Sequence, residues 1–277
     1  MYIWLILMFK FLHNMVYNAT LRKEFIISIK ERRIFMGDGN IFLEKGFKRA
    51  KSSRASQAMT VAGTSIKTIL LLLVLAISAG YTWNLLVTGK GYTANKLIII
   101  GIIGALKVAI LTCLSPQISR ITSFIYAIFE GLALGSISYF AERWYPGIVL
   151  SAIMLTIATA LAVMMIYKSI DGVSGRFRRI ITISIIGIGL SYILTFVLSL
   201  FGIGIPFIHS NGPLGILTSL IVVFVAASSL LLDYDFVYNV SRYGAPKYME
   251  WYGAFSILVT LVWMYIEILE LLEKIKD

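Results

Sequence analysis

Five carboxylates interrupt long apolar stretches of this 277-residue chain and are the side chains best placed to do chemistry. They are Glu130, Asp233, Asp235, Glu250 and Glu267. At the depth of a bilayer a charged side chain costs roughly 2.5 to 3.5 kcal/mol on insertion scales, so it should face a polar partner or a water-filled cavity. Carboxylates grouped in such a cavity are suited to bind a hard cation such as calcium, to relay protons, or to switch a pore with pH.

Two of these acids, Asp233 and Asp235, lie only two residues apart. On a helix this spacing turns them by about 200°, so they cannot both point at one spot. Asp235 shares a helix stripe with Ser228 and Asn239, which we expect to be the wetter one. Asp233 shares a stripe with Ser229, which should meet a neighbouring helix. The alternative is that both acids mark a solvated helix end.

A polar stripe also runs through the last apolar stretch at alternating steps of three and four residues, the spacing of one helix face. Its members are Gly253, Ser256, Thr260, Trp263, Glu267 and Glu270. Small residues at its start allow close helix approach. The acidic end predicts that this helix walls a cavity, with Glu250 at the opposite mouth. The alternative is a packing seam with a solvated acidic end.

Glu130 and two lysines complete the ionisable residues in apolar surroundings. Glu130 directly precedes Gly131 and Gly135, a GxxxG step that allows close helix approach. We expect Glu130 either to line the cavity or to make a structural hydrogen bond to a facing helix. Lys67 should snorkel to the surface. Lys107 lies deeper, so either snorkelling or an ion pair with one of the acids is expected.

Seven apolar stretches must position these residues, each close to the roughly 20 helical residues that cross about 30 Å of hydrocarbon. They are 66–88, 95–114, 121–141, 147–168, 178–201, 214–238 and 250–272. The chain is 58% hydrophobic and 14% charged with a mean hydropathy of +0.85, whereas a soluble domain has about 25% charged residues. We therefore predict an all-α fold, a seven-helix transmembrane bundle over residues 66–277.

Residues 1–65 are basic and break this pattern, so we expect an N-terminal cytoplasmic segment. A start at Met36 would make residues 1–35 an upstream extension. Lys and Arg stay on the cytoplasmic side of membranes, which places the N-terminus inside and the C-terminus outside. The same orientation puts further basic residues inside, namely Arg120, Lys168, Arg176, Arg178, Arg179, Arg242 and Lys247.

The sequence lacks the residues that several classes of protein function require. The net charge of +11 is explained by membrane topology, so no nucleic acid is expected. Cys113, His13 and His209 are too few to build a zinc site, and we expect no metal and no other cofactor. The Gly-x-Gly-Asp loop of intramembrane aspartyl proteases does not occur, and no lysine between Met249 and Glu273 is available to bind retinal. We predict that the protein is not an enzyme.

Four segments resemble one membrane protein family. They are 126–135 (YAIFEGLALG), 145–149 (YPGIV), 232–236 (LDYDF) and 245–255 (APKYMEWYGAF). The family is that of the Bax inhibitor or YccA-like proteins, also called the transmembrane Bax inhibitor motif family, and the segments look like its bacterial branch. The resemblance covers roughly residues 37–275.

The resemblance implies a seven-helix fold with a central last helix and a pH-sensitive calcium leak in the bacterial cytoplasmic membrane, gated by an aspartate pair on the sixth and seventh helices. The sixth-helix aspartate carries over to Asp233 or Asp235. On the seventh helix, one alignment places Thr260 at the aspartate position and another favours Glu267. If Thr260 is the counterpart, the two-acid gate is absent, which puts the leak or its pH dependence in question.

The leading hypothesis is therefore a cation leak channel in the lipid bilayer, conducting calcium or responding to protons. Its gate would combine Asp233 or Asp235 with Glu250 or Glu267, and Glu130 would line the cavity. The alternative, which YccA-like relatives also suggest, is a regulatory membrane protein that conducts no ions. It would bind membrane proteases or other quality-control partners through its basic N-terminal segment.

Overall fold

The computed structural model describes residues 58–201 and 212–277, and within them seven helices are long and apolar enough to cross a membrane. They are α1 (Val61–Val87), α2 (Gly91–Leu114), α3 (Ser119–Trp144), α4 (Ile148–Ser169), α5 (Gly175–Leu200), α6 (Pro213–Arg242) and α7 (Met249–Lys276). A 3-10 turn at Pro116–Ile118 leads into α3. The predicted all-α fold with seven spans is confirmed.

Several helices extend beyond the apolar stretches that predicted them. The first helix begins at Val61 rather than residue 66, because the hydroxyl of Thr60 caps it by accepting a hydrogen bond from the Gly63 amide at 2.9 Å. The last helix continues to Lys276, beyond the predicted end at residue 272. Hydropathy locates the apolar core of each helix, whereas a local group, the Thr60 cap, sets where α1 begins. The proposed division of the chain at residue 65 stays a prediction, since most of that segment lies outside the described residues.

The last helix is the axis of the bundle. Helices α1, α3, α4 and α6 all pack against α7, while α2 packs on α3 and α5 on α6 at the periphery. Side chains of α7 such as Phe255, Leu258 and Trp263 are fully buried. This arrangement confirms the central last helix that the family resemblance implies, and it gives residues on every face of α7 a protein environment.

Close approach of α1 and α3 depends on the predicted GxxxG step. A Cβ atom on Gly131 would lie 2.4 Å from the Leu75 carbonyl oxygen, and one on Gly135 would lie 2.1 Å from that of Ala79. Only glycine fits at these two positions, so the predicted close helix approach at this step is confirmed, and the partner helix is α1.

The two ends of the bundle differ in charge. The turns α2–α3, α4–α5 and α6–α7 lie at one end, together with the start of α1, and we call this the basic end. Among the described residues, its exposed basic side chains are Arg120, Lys168, Arg176, Arg179, Arg242 and Lys247. The opposite end, where α7 finishes, is called the distal end. Which end faces the cytoplasm stays a prediction from loop charge.

Candidate functional site

All five carboxylates singled out from the sequence are buried in the protein. Relative exposures are 2% for Glu130, 5% for Asp233, 1% for Asp235, 0% for Glu250 and 1% for Glu267. The alternatives that placed Asp233 and Asp235 at a solvated helix end, or the acidic end of the α7 stripe in solvent at Glu267, are therefore wrong. The five carboxylates make contacts with different parts of the protein.

Asp233 lies between α6 and α7 and is bound by two hydroxyl groups of the α7 stripe. Ser256 donates to its Oδ1 at 2.8 Å, and Thr260 contacts its Oδ2. The hydroxyl of Thr260 also lies 3.0 Å from the Ser256 carbonyl one turn earlier. The expectation that Asp233 meets a neighbouring helix is confirmed, and the helix is α7.

Of the two residues considered as the seventh-helix counterpart, Thr260 is the one that meets Asp233. Glu267 lies seven residues further on, about 10 Å along the helix. There it accepts a hydrogen bond from Trp263 Nε1 at 2.9 Å and lies 3.4 Å from the hydroxyl of Tyr192 on α5. Thr260 therefore places a hydroxyl opposite Asp233, at the position that the second carboxylate of a two-acid gate would occupy.

Asp235 points away from this contact and fastens the α4–α5 turn to α6. Its Oδ1 accepts from the Val173 amide at 3.2 Å and from the Tyr167 hydroxyl at 3.4 Å. Its Oδ2 forms an ion pair with Arg178 at the start of α5. The expectation of a wetter stripe is wrong at Asp235, because the turn and Arg178 cover it.

Glu250 joins the beginnings of α1 and α7 at the basic end. It forms an ion pair with Lys67 and accepts from both the amide and the hydroxyl of Thr60 at 2.9 Å, while Lys247 lies 3.4 Å away. A Cβ atom on Gly63 would lie 2.3 Å from its Oε1, so a larger residue there would displace the carboxylate. A carboxylate at the start of a helix is also favoured by the helix dipole. Glu250 is thus engaged in a structural clamp.

The two lysines behave differently. Lys67 is only 17% exposed, pairs with Glu250 and lies 5.1 Å from the centre of the Trp251 ring, so snorkelling alone does not describe it. Lys107 is exposed on α2, and no ion pair joins it to a carboxylate of the described residues. For Lys107 the snorkelling alternative fits the structure.

Glu130 lies on the α3 side of the central helix. The Tyr126 hydroxyl, one turn earlier on α3, is within hydrogen-bonding reach of it. The Tyr126 ring packs edge-on against Phe255 of α7, with centroids 5.0 Å apart. Asp233, by contrast, contacts α7 from the α6 side. The structure therefore places these two acids on different faces of α7.

Asp233 lies on one face of α6 that meets one face of α7 at Asp233 itself and again where Ser219 contacts Lys274, and we call the two faces together the α6–α7 seam. The α6 stripe of this seam consists of Ser219, Val222, Ala226, Ser229 and Asp233. The α7 stripe consists of Ser256, Thr260, Trp263, Glu267, Glu270 and Lys274. Both stripes follow steps of three and four residues, so each is one helix face.

Three side chains that shape these surroundings were not singled out as site residues from the sequence. Lys274 could have been found, because it extends the α7 stripe by one further step of four. Ser219 contacts Lys274 at 2.9 Å, and only the register of α6 against α7 reveals it. Arg178 was counted as a loop charge, and its pairing with Asp235 depends on how the α4–α5 turn folds back.

These features define a polytopic membrane protein with a central last helix and buried carboxylates on its third, sixth and seventh helices. The family profile described as Bax inhibitor 1 like matches residues 39–277, and the chain belongs to that family. The family resemblance seen in the sequence is thereby confirmed. No curated protein and no solved structure shows significant similarity to the chain.

Proposed function

We propose that this protein is a cation leak channel of the Bax inhibitor type, in which Asp233 is the ion-binding and gating acid of the α6–α7 seam. The observation that supports this proposal most strongly is the buried carboxylate of Asp233, which the hydroxyls of Ser256 and Thr260 hold between two helices. Family membership supports a leak function for such a site.

The chemistry of this site suits weak binding of a hard cation. One carboxylate and two hydroxyls supply oxygen ligands, the type that calcium prefers. A single negative charge binds a divalent cation less tightly than a pair of carboxylates would. Conduction requires such weak binding, because an ion must leave the site as readily as it enters. Calcium is accordingly the first ion to test, and protons compete for the same oxygens.

Thr260 gives Asp233 a hydrogen-bonded partner in both protonation states. Its hydroxyl has one hydrogen and two acceptors in reach, Asp233 and the Ser256 carbonyl. When Asp233 is ionised, Thr260 donates to it. When Asp233 binds a proton, it donates to Thr260, whose hydrogen turns to the Ser256 carbonyl. A pH response in this account needs no second carboxylate, and acid reduces flux by removing the charge that attracts cations.

The remaining carboxylates receive different roles. The Asp235–Arg178 ion pair holds the α4–α5 turn against α6 at the basic end, and its loss would free the turn there. Glu250 is assigned to the clamp between α1 and α7 rather than to the gate, since Lys67 and Thr60 already occupy its oxygens. Glu267 lines the distal half of the seam, and Glu130 supports the α3 side of α7.

The test is calcium flux into liposomes that contain the purified full-length chain. Asp233→Asn keeps the size of the side chain and removes its charge, and we expect flux to fall about tenfold, the change that about 1.4 kcal/mol of lost binding gives. Asp171→Asn, which neutralises an exposed acid of the α4–α5 turn, is the matched control and should conduct like wild type. Equal flux in all three proteins would remove Asp233 from the gate.

A further inference from the structure

The distal half of the α6–α7 seam contains a buried amine. Lys274 is 7% exposed, and its Nζ lies 2.9 Å from the Glu270 carboxylate on the same helix and 2.9 Å from the Ser219 hydroxyl on α6. A lysine is rarely buried, because removing its charge from water is costly unless partners compensate. Here a carboxylate and a hydroxyl do so, and together they hold the ammonium across the two helices.

The register of the two helices places this amine in line with Asp233. Lys274 follows Thr260 by 14 residues, and Ser219 precedes Asp233 by 14 residues. Fourteen residues make nearly four turns and about 21 Å, so each helix returns to almost the same face. Because α6 and α7 are antiparallel, the Asp233–Thr260 and Ser219–Lys274 contacts lie on one seam at two levels.

Other polar groups lie on the seam between these two levels. Ser229, one turn from Asp233 on α6, is 1% exposed, and its hydroxyl has no hydrogen-bond partner among the described residues. Glu267 lies midway between Thr260 and Lys274 on α7 and is 1% exposed. Trp263 of the same stripe donates a hydrogen bond to Glu267 at 2.9 Å. A cation moving along the seam would thus meet oxygen atoms first at one level and then at the next.

We propose that Lys274 is a tethered cation that occupies the distal half of the seam and selects against divalent ions there. This inference rests on the proposed function and deepens it. The ammonium takes the position beside Glu270 that a mobile cation would otherwise use. A fixed positive charge also repels a divalent ion twice as strongly as a monovalent one at the same distance. Calcium is therefore admitted more slowly than potassium unless the ammonium withdraws.

The experiment compares calcium and potassium flux in liposomes for wild type, Lys274→Met, Lys274→Arg and Lys276→Met. Methionine keeps the length of the side chain and removes its charge, whereas arginine keeps the charge. Lys276 is exposed two residues further along, where it reaches the Pro146 carbonyl at 3.3 Å, and it is the matched control. We expect the ratio of calcium to potassium flux to rise about tenfold in Lys274→Met, corresponding to about 1.4 kcal/mol of relieved repulsion, and to be unchanged in the other two variants.

A second measurement does not depend on conduction. In detergent, calcium should raise the melting temperature of Lys274→Met more than that of wild type or Lys276→Met, because Glu267 and Glu270 then lack their tethered counter-charge. Lys274→Gln serves the same comparison if the methionine variant does not fold. Equal flux ratios and equal calcium-dependent melting in the Lys274 and Lys276 variants would overturn the inference while leaving a conducting Asp233 site intact. Absence of flux in wild type would instead refute the proposed function, and the melting shift would still decide the role of Lys274.

Discussion

Asp233 of α6 and Thr260 of α7 meet across the seam through a carboxylate–hydroxyl contact, at the position where a carboxylate pair was considered from the sequence. The site therefore carries one formal charge, that of the Asp233 carboxylate, which also accepts a hydrogen bond from Ser256. A channel built on it should bind ions weakly.

Thr260→Val tests whether the hydroxyl supports Asp233. Valine keeps the shape of threonine but leaves one carboxylate oxygen without its donor, which costs about 1 to 3 kcal/mol for a buried polar group. We expect a lower melting temperature in detergent and a changed calcium flux in liposomes. Thr260→Ser, which retains the hydroxyl, is the control and should resemble wild type. A valine variant as stable and as conductive as the serine variant would contradict the role assigned to this contact.

Arg178→Gln tests whether the ion pair with Asp235 closes the basic end. Losing the ion pair frees the α4–α5 turn from α6, so calcium flux should increase several-fold. Arg179→Gln neutralises the exposed neighbouring residue and should leave the flux unchanged. Asp235→Asn should also increase flux, and the double variant should add little, because both changes break one interaction. Full additivity of the two changes would show that they act separately.

Much of the fold follows from the sequence, because apolar length fixes the number of spans and the α7 stripe marks the helix that needs neighbours on several sides. The residues that contact Asp233 were also present in that stripe as Ser256 and Thr260. Periodicity alone gives the face of a helix but not its register against the partner. For that reason the choice between Thr260 and Glu267 required coordinates.

The charged partners were harder to foresee for a different reason. Arg178 is separated from Asp235 by 57 residues, and their ion pair depends on the path of the α4–α5 turn. Glu250 and Thr60 are separated by 190 residues and meet only because α1 and α7 begin side by side. Local sequence patterns contain no signal for such long-range contacts.

Glu250→Gln tests the clamp between α1 and α7. Breaking a buried ion pair by removing one charge leaves the other uncompensated and costs about 3 kcal/mol. We expect a marked drop in melting temperature, a similar drop in Lys67→Met, and a double variant little worse than either. Lys247→Gln should have only a small effect, since that side chain is 56% exposed. A large change in calcium flux per folded Glu250→Gln molecule, without loss of stability, would show that Glu250 acts in the gate rather than in the clamp.

Deletion of residues 1–57 separates conduction from the alternative regulatory role. The deletion should stop there, because the Met59 amide donates to the Ala245 carbonyl at 2.8 Å and Thr60 binds Glu250. We expect the shortened chain to conduct calcium as wild type does. Loss of binding to a membrane protease with unchanged flux would show that the basic segment serves a second function. Loss of flux in a folded, truncated protein would contradict a pathway confined to the seam.

The most direct measurement is calcium flux as a function of pH for wild type and Asp233→Asn, in liposomes with equal amounts of folded protein. We predict that wild-type flux falls with acidification, and that flux through the asparagine variant is low at every pH. A variant that keeps both the wild-type flux and its pH dependence would contradict the assignment of Asp233 as the gating acid.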